Sequence, residues 1–197
     1  MGRFLRGLVA GLLAFPVLGE VYFLGGFAPA GVSDRPFPFE GIIAGGALEA
    51  RIRRDAPKRD LSSFSAADIV AGAQAYGMNC GGCHGLPAQV LQGTEWGKPP
   101  DMYPPPPQLF TPDGHVTDDP VGVTYWKIEN GIRMTGMPSF KSEVTDAQAW
   151  QVAALLANAD KLSPEALDAL KPAPWPASVP PAPGATAPAQ NQAKPTK

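Results

Sequence analysis

Residues 80–84 read Cys80-Gly81-Gly82-Cys83-His84, and both cysteines of the 197-residue chain lie inside this pentapeptide. A thioredoxin-like redox pair uses C-x-x-C beside a strand–helix–strand pattern, and the chain has no such pattern. A structural zinc site takes four ligands in a tetrahedron. Beyond these three residues the chain offers one further histidine, His115, and no further cysteine. A plain Cys80–Cys83 disulfide leaves His84 without a role. The remaining chemistry is attachment of a c-type haem, for which C-x-x-C-H is the signature. Two thiols three residues apart at a helix end can add to the two vinyl groups on one porphyrin edge. The adjacent imidazole then meets the iron from one face. Gly81 and Gly82 keep the turn free of bulk where it lies against the ring. The sequence therefore predicts one covalent haem c, attached through Cys80 and Cys83, with His84 as an iron ligand.

The ligand on the opposite face must come from His115 or one of five methionines. Met1 is excluded, Met78 lies on the same side as the attachment turn, and Met102 falls in a proline-rich loop. Met134 and Met137 bracket Thr135-Gly136. Pro138 stiffens the backbone after Met137, and Gly136 lets the chain approach the ring closely. The reading selects Met137 as the second iron ligand. Met134 is the alternative, or packs under the haem or at its edge, and His115 reads as an exposed loop histidine.

The chain is 44% hydrophobic and 17% charged, enough for a packed core and incompatible with wholesale disorder. Gly 22 and Pro 24 together approach a quarter of the residues, so much of the chain must be loop, linker or tail. A net charge of −2 excludes a generally basic, nucleic-acid-coating protein. Charge is unevenly spread. Residues 61–171 hold six basic and twelve acidic groups, a balance of −6, whereas residues 35–60 balance to +2.

Residues 7–27, GLVAGLLAFPVLGEVYFLGGF, contain a single side chain charged at neutral pH, Glu20. Their helical length of about 31 Å crosses a bilayer core. Arg3 and Arg6 precede the stretch and favour a cytoplasmic N-terminus with the remainder exported. Tyr22, Phe23 and Phe27 lie where an aromatic belt would be. Ala28-Pro29-Ala30 also resembles a signal-peptide cleavage site, but the apolar run exceeds the usual signal length. The reading favours a retained anchor. Glu20 either snorkels to the interface or touches a neighbouring membrane subunit.

Four parts follow: a membrane anchor or uncleaved signal at 1–30, a spacer with a basic amphipathic helix at 31–60, a haem domain at 61–171, and a disordered Pro/Ala-rich tail at 172–197. Apolar spacing at Ile43, Ala47 and Ile52 predicts a helix over 39–55, closed by Pro57 and read as a solvated spacer. Ser65 caps a helix over 66–78. Residues 85–119 show no periodicity. Thr117-Asp118-Asp119-Pro120 reads as the start of a helix running to about Gly131. Thr145 caps a helix over 146–160, and Ser163-Pro164 opens a short last one. Leu86, Tyr103, Leu109, Trp126 and Phe140 are candidates for burying the haem. Arg133 and Trp96 are candidates for holding its propionates, if they are not simply a solvated charge and a core aromatic.

Over roughly residues 64–162 the chain resembles the class I c-type cytochromes, monohaem electron carriers, and within them membrane-anchored members serving respiratory or photosynthetic chains. The likeness rests on Cys80–His84, on Gly131-Ile132-Arg133-Met134-Thr135-Gly136-Met137-Pro138 and on a terminal helix with Trp150. It implies an all-α fold of about four helices around one covalent haem, here with an N-terminal transmembrane helix. It also implies an axial pair at His84 and Met137, and a crossing of the first and last helices in which Gly72 and Tyr76 meet Trp150 and Leu155. The proline-rich insert at 99–107 exceeds that of the smallest members. The implied activity is one-electron transfer without a small-molecule substrate, not enzymatic turnover. Partners would be redox proteins in or at the membrane, and nucleic acid is not expected. The implied location is the bacterial cytoplasmic (inner) membrane, single-pass, with the haem domain on the periplasmic side. Two other readings stay open: a fixed haem subunit of a larger dehydrogenase or oxidase, and a haem peroxidase or gas sensor with an open iron position.

Overall fold

A computed structural model describes residues 2–91, 101–114 and 116–171; all regular structure among them is helical, with no strand. Trp96, His115 and the tail from residue 172 lie outside the described residues, as do Pro99 and Pro100 of the insert.

The first helix, α1, runs Gly2–Leu24, so it takes in Arg3 and Arg6 and stops short of Phe27. Its 23 residues extend about 35 Å, enough for a hydrocarbon core of roughly 30 Å, and none is buried against the rest of the chain. It ends in a Schellman motif. Gly26 N–H donates to Phe23 O (3.3 Å) and Phe27 N–H to Tyr22 O (3.1 Å), with Gly26 at φ 77°. The connection then doubles back, bringing the Phe37 ring 6.2 Å from Tyr22 and 6.4 Å from Phe23.

Helix α2, Glu40–Asp55, has Arg53 and Arg54 in its last turn, where cations suit the helix dipole. It is not solvated all round. Ile52 is buried, Leu48 is half-buried, and the end of α2 meets α6. Beyond it the Pro57 carbonyl lies so close to Gly122 that any side chain at 122 would overlap it.

Helix α3, Ala66–Asn79, starts with a capping box: Asp68 N–H donates to Ser65 Oγ (3.2 Å) and Ser65 N–H to Asp68 Oδ2 (2.9 Å). Asp68 Oδ1 accepts a further bond from Gln151 Nε2 at 3.1 Å, tying the cap to α7. The Ser65 hydroxyl and amide, then Gln151, hold the Asp68 carboxyl below its ordinary 3.8. The unfolded chain therefore binds this proton more readily. The stability it contributes is complete above 3.8 and is lost as pH falls through the lower native value. We expect the stability gap between the native chain and Asp68→Asn, read by denaturant unfolding, to be widest at neutral pH and to close in acid. A gap independent of pH would show that the charge on Asp68 does not hold the cap.

Two single-turn helices follow, α4 (Gly81–His84) and α5 (Ala88–Leu91), the latter within the stretch that has no sequence periodicity. Helix α6 is Val121–Asn130. Thr117-Asp118-Asp119 does not cap it: Pro120 occupies the N-cap without a side-chain bond, and Asp119 accepts instead from Lys127 Nζ at 3.1 Å. Helix α7, Asp146–Ala157, has the capping box Thr145/Gln148. Helix α8, Pro164–Ala169, is capped by Ser163 with Pro164 at its start.

Helix α3 crosses α7 at Gly72, where an added methyl would overlap the Gln151 carbonyl and stand 3.1 Å from Val152 N. Tyr76, Leu155 and Leu170 are the largest wholly buried side chains, and α6 and α8 complete the layer around them. Trp150 is not at this crossing. It forms a second cluster with Val121, Ala153 and Ala157, stacked on Tyr125 at 4.0 Å and 16°, with the Arg59 guanidinium 5.1 Å from its ring. This cluster fastens the segment leading into α3 onto α6 and α7.

Candidate haem site

The attachment motif occupies the corner where α3 gives way to α4. Cys80 is both the last-turn cap of α3 and the first-turn cap of α4, and its carbonyl accepts from Cys83 N–H (3.1 Å) and His84 N–H (2.9 Å). One helical turn thus sets both sulfurs and the imidazole. Gly85 ends the turn at φ 72°, a conformation glycine adopts without strain. Three bonds from outside hold it: Tyr76 OH to Gly85 O (2.9 Å), Gln108 Nε2 to Cys83 O (3.2 Å) and Leu109 N–H to His84 O (3.2 Å). Burial, reinforced by Cys83, pushes the Cys80 thiol up to about 12. An unreacted thiol there is neutral at physiological pH, and a thioether in its place has no charge to bury.

His84 Nδ1 lies 2.8 Å from Pro107 O. A carbonyl only accepts, so Nδ1 carries the proton and the Nε2 lone pair is left for a metal. The same partner fixes the plane of the ring.

Cys80, Cys83 and His84 open onto a cavity of about 400 Å³, within the roughly 300–1,000 Å³ typical of cofactor sites. Met137 lines the same cavity, together with Thr135, Gly136 and Pro138. Its segment is tied down through the backbone. Gly131 closes α6 at φ 65°, and the chain returns over it so closely that a Cβ would stand 2.6 Å from Ser139 N. Ile132 N–H donates to Met137 O (3.0 Å), and Met137 N–H donates to Thr135 Oγ1 (3.1 Å). Met134, two positions beyond Ile132, sits at φ 63° and is 82% exposed. It does not line this cavity. Met78 is 73% exposed, whereas Met102 lines the cavity.

The walls are mostly apolar. Leu109 and Phe140, both read from the sequence, line them, with Ile128 from α6 and Val152 and Leu156 from α7. Leu86, Tyr103 and Trp126 do not line the cavity. Leu86 packs beneath the attachment turn, 3.2 Å from a Cβ placed on Gly81, and Tyr103 is partly exposed beside Pro36 and Glu40. Arg133 is exposed and off the cavity, while Lys127, paired with Asp119, is the cation on its wall. Leu48 of α2 also reaches the wall. Nothing local marks Leu48, Gln108 or Lys127 in the sequence.

The residues present fit a covalent haem: two thiols on one turn, an imidazole with its free nitrogen defined, a thioether on a fixed segment, and a low-polarity chamber between them. The family model for cytochrome c oxidase, cbb3-type, subunit III matches residues 67–156. No curated protein and no solved structure matches the chain. The matched segment contains the α3–α4 attachment turn, the Met137 segment and nearly all of α7; over residues 67–156 the match supports a c-type cytochrome domain, which implies a covalently bound haem with its iron.

Proposed function

We propose that this domain is a one-electron carrier whose iron is held by His84 on one face and Met137 on the other, with Cys80 and Cys83 as the thioether links. The observation that carries this reading is the shared cavity into which the attachment turn and the Met137 segment both open. The bound haem supplies a Fe(III)/Fe(II) couple. Pro107 orients and polarises His84 through Nδ1, which makes the imidazole a better donor. The Thr135 and Ile132 bonds fix the Met137 backbone and so the reach of its sulfur. Leu48, Ile128, Phe140, Val152 and Leu156 exclude water, and Lys127 is placed to meet a carboxylate at the wall. A haem held by both His84 and Met137 would leave no open iron position for a small-molecule substrate, which favours electron transfer over a peroxidase or sensor.

The domain plan we propose is an anchor at 1–30, a spacer at 31–60, the haem domain at 61–171 and a tail at 172–197. Gly2–Leu24 is long and apolar enough to span the cytoplasmic membrane, and Arg3 and Arg6 favour placing the haem domain on the periplasmic side. The acidic balance of residues 61–171 favours a partner with a positive docking patch. A second reading, a fixed subunit of a membrane oxidase, is favoured by the description of the matching family. Stoichiometric co-purification of partner subunits from detergent extracts distinguishes it from a shuttle.

The test is an oxidised and reduced optical spectrum of the membrane-extracted protein, with its intact mass. A weak oxidised band near about 695 nm is the expected sign of a sulfur–iron bond. The mass should equal the chain plus one haem. Free thiols at Cys80 and Cys83 would overturn the reading.

A further inference from the structure

The segment 102–107 touches one proposed axial ligand, His84, and the residue next to the other, Met137. At one end Pro107 O accepts from His84 Nδ1 at 2.8 Å. At the other, the Met102 side chain lies on Gly136, the residue immediately before Met137. A Cβ on Gly136 would overlap the Met102 sulfur and stand 3.1 Å from its Cε. Met102, Pro104–Pro107, Gly136 and Met137 all line the cavity. The segment contains four consecutive prolines, Pro104 to Pro107, the last of them the His84 contact, each with a fixed φ and no amide hydrogen. Such a segment bends little, so it ties the attachment turn and the Met137 segment to one stiff element. Thr135 and Ile132 hold the Met137 backbone from the α6 side, and the atoms nearest the position of a Gly136 Cβ all belong to the Met102 side chain.

We propose that Met102 is a positioning residue for the iron's second ligand: its thioether fills the place of the absent Gly136 side chain and clamps the Met137 segment shut, while Pro107 steadies His84 from the same stretch of chain. This rests on Met137 being the axial ligand. The role of Met102 is one of shape and not of coordination, so leucine, of similar volume, should serve and alanine should not. Loosening the clamp raises the fraction of molecules in which Met137 has left the iron, and an external ligand reads that fraction.

The experiment uses the full-length matured cytochrome in detergent. Four single variants, Met137→Ala, Met102→Ala, Met102→Leu and Gly136→Ala, and the double variant Met102→Ala/Gly136→Ala are compared with the native chain. Two signals are followed, carbon monoxide binding to the reduced protein and the temperature at which the sulfur–iron band of the oxidised protein disappears. Met137→Ala should lose the band at all temperatures. Met102→Ala should keep it when cool, lose it at a lower temperature than native, and bind carbon monoxide roughly tenfold faster, the effect of about 1.4 kcal/mol of lost contact. Met102→Leu should behave as native. Gly136→Ala should resemble Met102→Ala, and combining the two should restore native behaviour, because the new methyl then occupies the vacated space. Native behaviour of both Met102→Ala and Gly136→Ala, with the band lost in Met137→Ala, overturns the clamp and leaves the axial reading standing. A band that survives Met137→Ala overturns the axial reading itself. Should Met102→Ala fail to take up haem, Gly136→Ala carries the test, and its matching the native protein overturns the proposal.

Discussion

Met137→Ala is expected to lower the reduction potential by on the order of a few tenths of a volt, within the roughly 0.8 V range that axial ligation commands. A thioether favours the ferrous ion over the ferric one, and its removal withdraws that preference. The substitution is clean because the Met137 segment is fixed through its backbone. The Thr135 hydroxyl, the Ile132 amide and the close passage over Gly131 are untouched by truncation. The helices should therefore keep their far-ultraviolet signature while the sulfur–iron band vanishes and the reduced protein gains affinity for carbon monoxide. A potential equal to the native value, by redox titration, would mean that another side chain supplies the ligand. Met102, the other methionine on the described cavity wall, would then be the first to replace.

Gly72→Val is expected to be the most damaging change to the fold. The Cβ alone collides with the Gln151 carbonyl, which belongs to the backbone of α7 and cannot rotate away. Helices α3 and α7 must separate, and Tyr76 and Leu155, both wholly buried beside the crossing, lose packing. Overpacking of this kind costs roughly 3 kcal/mol or more, which lowers the melting temperature of a domain this size by about 10–20 °C. The damage should also reach the haem. Cys80 caps the end of α3, so tilting that helix shifts the attachment turn against the Met137 segment. Thermal melts of the matured protein and the yield of haem-bearing chain are the measurements. An unchanged melting temperature would show that the crossing does not depend on close contact at residue 72.

The site is legible in the sequence where its parts are local. Cys80, Cys83 and His84 share one helical turn, and the capping residues Ser65, Thr145 and Ser163 announce their helices within four residues. Gly72 was readable from the resemblance, and the structure gives its reason. What escaped depends on long-range packing. Leu48 looks like any apolar residue of a spacer helix, and only the seating of α2 on α6 brings it to the cavity. Pro107 and Gln108 act through a backbone carbonyl and a side-chain amide that carry no sequence pattern. Thr117-Asp118-Asp119-Pro120 marks the start of α6 in the sequence, but the partner of Asp119 was not legible: its carboxylate reaches Lys127, two turns into α6, and Pro120 takes the cap position. Trp150 has the right helix but the opposite face, turned to Tyr125 and away from Tyr76.

The folded-back connection after α1 has a consequence for encounters. Phe37 returns to Tyr22 and Phe23, and the same stretch borders a pocket shared with Tyr103, beside the clamp residue Met102. If α1 sits in a bilayer as proposed, the globular part would be berthed near the lipid headgroups instead of roaming at the end of a long leash. Its rotational search is narrowed before any collision occurs. A donor or acceptor confined to the same plane meets a preferred flank of the molecule, and one arriving from bulk water must come to that flank.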